Sequence, residues 1–195
     1  SQLINALESV SAPVSGIERG KIPISSAIVA AVRTNGSIEP LEIVESALNK
    51  VIDSGVKPIF ENAAIAVLGA VVSERNERDR AEEIYQKVLV RPGRADGVSS
   101  LSLDRVLALL AKTLGNTNDA ERHFEDAIDF CRSAGYSPEY AWSLCDYADM
   151  LLERGDDEDR TKATAMLDES LKISTDLGMR PLMERVLSKR DILKA

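Results

Sequence analysis

The sequence predicts an all-α protein built from antiparallel helix pairs, and two observations lead to this prediction. First, the phrase Gly-x-x-Pro recurs between stretches with helical apolar spacing, at Gly20–Pro23, Gly55–Pro58, Gly135–Pro138 and Gly178–Pro181. Glycine can adopt the left-handed conformation that ends a helix, and proline suits the first turn of the next one. Second, the turns within the pairs, at Gly36, Asn76, Gly115 and Gly155, are 40, 39 and 40 residues apart. A period of this length predicts a helical repeat array.

The repeat divides the chain into elements that share one continuous core. We expect a single domain, 1–195, with an N-terminal capping region (1–19), four helix pairs (20–179) and a C-terminal capping helix (180–195). The N-terminal helix is predicted at Leu3–Val10. The first pair is predicted at Ile24–Asn35 and Glu39–Ser54, and the second at Ile59–Asn76 and Arg78–Val90.

The third pair has the clearest pattern. An apolar stripe at helical spacing (Val106, Leu107, Leu110, Ala111, Leu114) ends at Gly115. Asn118 and Glu121 then resemble a capping pair that opens the next helix, in which Ala120, Phe124, Ala127, Ile128 and Cys131 share one face. Two amphipathic helices joined by a short turn predict a helical hairpin.

The fourth pair follows the same plan. Ser137 is predicted as its N-cap with Pro138 in the first turn, and the loop Gly155–Arg160 contains three more residues than its counterpart after Gly115. The final helix is predicted at Leu182–Leu193, where four apolar residues (Leu182, Met183, Val186, Leu187) can cover the preceding helix. This helix therefore has the pattern of a terminal cap.

Small residues recur where the two helices of each pair should cross. Gly69, Ala108 and Ala148 on first helices correspond to Ala81, Ala120 and Ala163 on second helices. Small side chains at these positions predict a close approach of the helix axes.

Composition limits the kinds of partner. Hydrophobic residues make up 44% and charged residues 29%, which predicts a folded chain. The net charge of -8 would repel nucleic-acid backbones and anionic membranes, so we expect neither direct nucleic-acid binding nor membrane association. The longest apolar runs, such as Ala63–Val72, are too short to span a bilayer. We therefore expect a soluble, cytoplasmic protein.

Motifs for catalysis or cofactor binding are not found in the sequence. It contains no phosphate-binding loop, and its single histidine, His123, is expected at the surface or a boundary, without a second imidazole or a cysteine cluster to complete a zinc site. Cys131 and Cys145 are expected as buried thiols, and the acidic run Asp156–Asp159 as a solvated turn. We expect no cofactor, no metal and no enzymatic activity.

The helix pairs resemble the tetratricopeptide repeat. Counted from Leu101, the third repeat places Leu107, Ala108, Ala111, Ala120, Phe124 and Ala127 at motif positions, although the period of about 40 exceeds the usual ~34 residues. The resemblance is good for the second to fourth repeats and poor for the first. It implies a right-handed superhelix with a concave groove.

A narrower resemblance concerns most of residues 60–195. The runs Ala141–Gly155, Ala163–Leu171 and Leu177–Met179 resemble the long-repeat helical region of MalT-like LuxR-type regulators and related bacterial ATPase or cyclase signalling proteins. It implies a regulatory module that binds a partner or senses an inducer, as part of a larger regulator, and it carries over no catalytic residue.

The groove implied by the repeat supplies the candidate binding residues. Positions that would point inward are Arg33, Glu74, Arg105, Lys112, Trp142, Asp149 and Glu153. Arginine and tryptophan often contribute most of the energy of an interface, although Trp142 could also pack between hairpins and the charges could form a solvated face.

We therefore expect a non-catalytic module that binds a protein or peptide, either from another molecule or from another domain of the same chain. The alternative is a small-molecule sensor that holds an inducer in the groove. An enclosed apolar pocket would favour the sensor, and an open groove of mixed charge would favour the protein binder. The sequence leaves the partner and the oligomeric state open.

Overall fold

The structure, a computed structural model, describes residues 49, 58–90 and 101–194. Residues 58–90 and 101–194 form seven α-helices and no β-strand, which confirms the all-α class for this part of the chain. The helices are α1 (Pro58–Glu74), α2 (Arg78–Leu89), α3 (Leu103–Leu114), α4 (Thr117–Ser133), α5 (Ser137–Arg154), α6 (Asp157–Asp176) and α7 (Arg180–Lys194). Apart from the helical Asn49, the predicted N-terminal region and first pair lie outside the described residues.

The helix ends agree with the predicted punctuation. Gly135 and Gly178 follow α4 and α6 with φ angles of 67° and 66°, the left-handed region in which glycine has no steric penalty. Asn76, which ends the first helix of its pair, also has a positive φ of 54°. Pro138 lies in the first turn of α5, as predicted.

Two predicted caps are wrong by one or two residues. The helix α4 begins at Thr117 with Asn116 as its N-cap, so Asn118 lies inside the helix. Similarly, α5 begins at Ser137 and its N-cap is Tyr136. Neither N-cap side chain accepts a capping hydrogen bond, so the preference of Asn and Ser for this position did not fix these ends.

The three extra residues of the fourth pair lengthen a helix rather than a loop. The helix α6 begins at Asp157 and has 20 residues, against 17 in α4. The expected solvated turn at Asp156–Asp159 is therefore wrong for Asp157, Glu158 and Asp159, which are helical, and Asp159 is also buried. Three acidic residues occupy the first turn of α6, where negative charge interacts favourably with the helix dipole.

The small residues predicted at the crossing points are buried, and the crossing of each pair at these residues stays a prediction. Ala81, Ala108, Ala120, Ala148 and Ala163 are fully buried. Gly69 is also buried, and a Cβ atom there would lie 2.7 Å from Cγ1 of Val106 on α3. The absence of a side chain at residue 69 thus allows α1 and α3 to approach each other.

Consecutive helices pack against each other throughout, and the alternate helices α1, α3, α5 and α7 also pack on one another in turn. The terminal helix α7 packs on both α6 and α5, and it buries Leu182 and Val186. Leu187, which we expected to cover α6, is 46% exposed. The alternate helices α1, α3, α5 and α7 together build the surface that contains the candidate site.

Candidate functional site

A cleft of about 480 Å³ lies across the alternate helices α1, α3, α5 and α7. Its acidic lining residues are Glu74, Asp146, Asp149 and Glu153, and its basic lining residues are Arg105, Lys112, Arg185 and Lys189. Trp142 and Leu109 add an aromatic and an aliphatic side chain. The cleft therefore has mixed charge, with equal numbers of acidic and basic residues.

Every candidate groove residue that the structure describes lines this cleft. Glu74 comes from α1, Arg105 and Lys112 from α3, and the remaining three (Trp142, Asp149, Glu153) from α5. The seventh candidate, Arg33, lies outside the described residues. The structure thus brings the predicted set together, and its role in binding stays a prediction.

The helix α5 supplies an acidic stripe along one face. Glu139, Trp142, Asp146, Asp149 and Glu153 are separated by three or four residues, so they lie above one another on the helix. The flanking helices present basic residues at the same kind of spacing, Arg105 and Lys112 on α3 and Arg185 and Lys189 on α7. One acidic helix is thus held between two basic ones.

Arg105 is a buried ion-pair partner rather than a free cation. Its Nε donates to Oδ2 of Asp146 at 2.7 Å, and its Nη1 donates to Oε1 of Glu139 at 3.0 Å. Only 6% of its side chain is exposed. Burial alone would lower the pKa of Arg105, but Asp146 and Glu139 outweigh it and raise the pKa. Arg105 therefore belongs to the buried framework of the cleft.

Asp146 connects both basic helices. Besides Arg105, its Oδ1 accepts a hydrogen bond from Nη2 of Arg185 at 3.0 Å. Burial alone would raise the pKa of Asp146, but the two arginines outweigh it and hold the pKa below its usual value. We call Arg105, Glu139, Asp146 and Arg185 the inner network. It fixes the positions of α3, α5 and α7 relative to one another.

Trp142 lies among these charges. Its ring is buried, and the guanidinium carbons of Arg105 and Arg185 lie 5.5 and 5.9 Å from its centroid. These distances allow cation–π attraction. Trp142 thus packs between helices and lines the cleft, so the two interpretations of this residue are compatible.

The rim of the cleft is more accessible. Nζ of Lys112 donates to Oε1 of Glu153 at 2.8 Å and lies 3.7 Å from Oδ2 of Asp149. Lys189 on α7 forms an ion pair with Asp149. The pair between Lys112 and Glu153 is the accessible one, because 62% of the Glu153 side chain is exposed, against 14% for Asp149. An exposed pair contributes little to stability, so a charged partner can exchange with it at low energetic cost.

Sequence reasoning missed four members of this site, Glu139, Asp146, Arg185 and Lys189. A signal was present, because the acidic residues of α5 follow the same helical spacing as Trp142. This spacing does not show that α5 pairs with α7, because that contact depends on how the helices stack. The apolar pattern of α7 by itself predicts only a terminal cap.

The remaining candidates for chemistry lie away from the cleft. Burial raises the pKa of Cys131 to about 11 and that of Cys145 to about 12, so both buried residues are thiols at neutral pH, as expected. His123 is buried, and its expected surface position is wrong. Asp104, His123 and Asp126 are the side chains that could hold a metal ion in the described part of the chain.

Comparison of the chain with protein families, curated proteins and solved structures finds no match. Among the described helices, none combines the length and apolar character needed to cross a membrane. Function therefore has to be inferred from the cleft and its neighbouring side chains.

Proposed function

We propose that this chain is a non-catalytic, tetratricopeptide-like module of a bacterial signalling or transcription regulator, which binds a segment of protein in the cleft. The segment belongs to another protein or to another domain of the same polypeptide. In this proposal the helix pairs form a right-handed superhelix in the cytoplasm, and the cleft is its concave face. The observation that carries the proposal is the cleft of mixed charge across alternate helices.

The helix contacts support this view. Alternate helices pack on one another along the chain, and they are the helices that contribute the cleft. In superhelical repeats the first helices of successive pairs form an extended binding surface in this way. A volume of about 480 Å³ accommodates a few residues of a bound segment and lies within the range of ligand sites.

The charge pattern indicates the chemistry of the partner. Because the acidic and basic residues of the cleft balance, it favours a segment that carries charges of both signs over a purely acidic or basic one.

The polar walls favour a protein segment over a small inducer. A metabolite sensor usually encloses its ligand among apolar side chains, with few polar groups. Here eight charged side chains line the cleft. A polar, charged surface of this kind resembles the rim and groove of a transient protein interface.

The experiment is a selection of random displayed peptides on the immobilised protein, followed by affinity measurements by fluorescence anisotropy. Peptides that bind the cleft should lose affinity roughly tenfold for Glu153→Lys, about 1.4 kcal/mol, because a rim charge is reversed. Glu83→Lys on α2 is the matched control. Both glutamates form an ion pair with a lysine and have side chains 62% and 66% exposed, but Glu83 is absent from the cleft lining.

Equal affinity of the selected peptides for both variants would show that they bind elsewhere and would contradict the proposal. The inducer alternative has its own signature. A small molecule that raises the melting temperature, in a protein from which no peptide is selected, would favour the sensor.

A further inference from the structure

A second group of side chains lies at the junction of α2, α3 and α4, away from the cleft lining. Asp104 comes from the first turn of α3, and His123 and Asp126 are three residues apart on α4, so they share a face. One imidazole nitrogen of His123 and one carboxylate oxygen of each aspartate all lie within 4.8 Å of one another. The two aspartates are half-buried.

His123 is an unusual residue for a helix core. It is only 3% exposed, and its Nε2 lies 2.9 Å from Oη of Tyr85, whose ring meets the imidazole edge-on. Its other nitrogen, Nδ1, is buried and has no hydrogen-bond partner in the described part of the chain. A buried polar atom without a partner is costly, so its presence here needs a physical reason.

The contact with Tyr85 occupies Nε2, and the tautomer of the ring decides whether Nδ1 carries a proton. If Nε2–H donates to Oη of Tyr85, Nδ1 carries a lone pair and no proton. Metal-binding histidines usually donate their second ring N–H to an oxygen in this way, which fixes the tautomer. Burial is the largest effect that lowers the pKa of His123, so the ring is neutral at pH 7.

After burial, the charge of Arg122 is the largest effect that lowers the pKa of His123, and Asp119 and Asp126 oppose it. Nη2 of Arg122 lies 3.5 Å from Nε2 of His123 and donates to Oδ1 of Asp119 at 2.9 Å. The contact of Arg122 is thus with Nε2, and Nδ1 is the ring nitrogen without a hydrogen-bond partner among the described residues.

We propose that Asp104, His123 and Asp126 form a binding site for a divalent first-row transition metal, with Zn²⁺ preferred. Imidazole nitrogen and carboxylate oxygen are both ligands of Zn²⁺, and water would complete the coordination. Zn²⁺ bonds of about 2.0–2.2 Å place two ligands at most ~4.4 Å apart, so small side-chain rotations close the present spacing. Tyr85 acts as the oxygen that orients His123.

The test uses the full chain, purified without a histidine tag and titrated with Zn²⁺ alone. Because His123 is the only histidine, its imidazole resonances in a ¹H–¹⁵N spectrum report directly on this site. We expect these resonances to shift with one equivalent of Zn²⁺. Asp104→Asn and Asp126→Asn should each weaken the affinity by roughly tenfold or more, and Tyr85→Phe by roughly tenfold, as for other groups that position a ligand.

Asp129→Asn is the matched control, because Asp129 lies one turn further along α4 and its side chain is 79% exposed. Its Zn²⁺ affinity should equal that of the wild type, and thermal melting of each variant establishes that it folds. Unchanged His123 resonances at saturating Zn²⁺ would overturn the proposal. Equal affinity in Asp129→Asn and the two asparagine variants at the site would overturn it too.

Discussion

Arg105 and Arg154 each bridge two carboxylates. Arg105 does so in the interior of the protein, and Arg154 does so nearer its surface. Arg105 joins Asp146 and Glu139 on α5, and Arg154 joins Glu121 on α4 with Asp159 on α6. The side chain of Arg105 is 6% exposed, whereas that of Arg154 is 34% exposed. The same kinds of group, one guanidinium and two carboxylates, thus lie in two different dielectric environments.

The environments change what each network does. Asp146 and Glu139 are removed from water and have to be paired with cations, so the inner network specifies how α3, α5 and α7 pack. Around Arg154, hydrogen bonding to Asp159 and then Glu121 raises the arginine pKa. Water reaches Arg154 and Glu121, whereas Asp159 is buried. Arginine–carboxylate pairs therefore hold the helices of the cleft together in the inner network, whereas around Arg154 they only connect helix ends.

The largest expected effect is that of Arg105→Ala. This change leaves Asp146 and Glu139 buried with fewer partners, and breaking a buried pair in this way costs about 3–5 kcal/mol. Urea unfolding monitored by circular dichroism would measure the loss in free energy of unfolding. A loss no greater than that of Arg154→Ala would remove the distinction between the two networks.

A smaller effect is expected for Arg154→Ala. Water can solvate the remaining carboxylate of Glu121, whose side chain is 29% exposed, whereas that of Asp159 is 8% exposed and loses its main partner. The partly exposed pair between Arg154 and Glu121 is screened by salt. The difference in unfolding free energy between wild type and Arg154→Ala should therefore shrink as NaCl is raised, while the difference for Arg105→Ala stays nearly constant. An equal salt response of both variants would show that the inner network is accessible to ions.

The smallest effect concerns pH. In the wild type, Arg105 and Arg185, with Lys112 further away, hold the pKa of Asp146 below its unfolded value near 3.9, so its contribution is present above that pH and lost as pH falls through the folded pKa. Without Arg105, burial shifts the pKa of Asp146 upward. As the pH falls, protonation of Asp146 then removes a buried negative charge, and the variant loses less stability.

The stability gap between wild type and Arg105→Ala should consequently narrow as the pH is lowered from neutral to about 4. Urea unfolding at several pH values measures this gap. The Arg154→Ala variant provides the control, because it leaves Arg105 and Asp146 unchanged and removes an arginine whose side chain is 34% exposed. A gap that is independent of pH would mean that Asp146 is not coupled to Arg105.

Much of the fold could be predicted from the sequence, because helix ends depend on local chemistry. The predicted pair Ile59–Asn76 and Arg78–Val90 agrees with α1 and α2 within two residues at each end. Errors arose where local signals compete, as at Asn118, which lies inside α4, and at Asp157, which begins α6. The relation of the chain to tetratricopeptide and LuxR-type proteins stays a prediction.

The sequence predicted several residues of the candidate site, but it did not predict how deeply each of them is buried. The resemblance to the tetratricopeptide repeat predicted that Lys112, Trp142 and Glu153 share one surface, and the structure places them around one cleft. Whether Arg105 is solvated or buried depends on how closely α3, α5 and α7 approach, which one helix's pattern does not contain. Tertiary packing likewise placed Asp104 beside His123.

Trp142 gives the most direct test of the claim that the cleft binds a protein segment. It is the only tryptophan, and it lines the cleft between Arg105 and Arg185, so its fluorescence reports on occupancy. Titration with a selected peptide of mixed charge should change this fluorescence saturably, with the same dissociation constant as anisotropy and a weaker one in Glu153→Lys. Tight peptide binding that leaves Trp142 fluorescence unchanged would contradict the account.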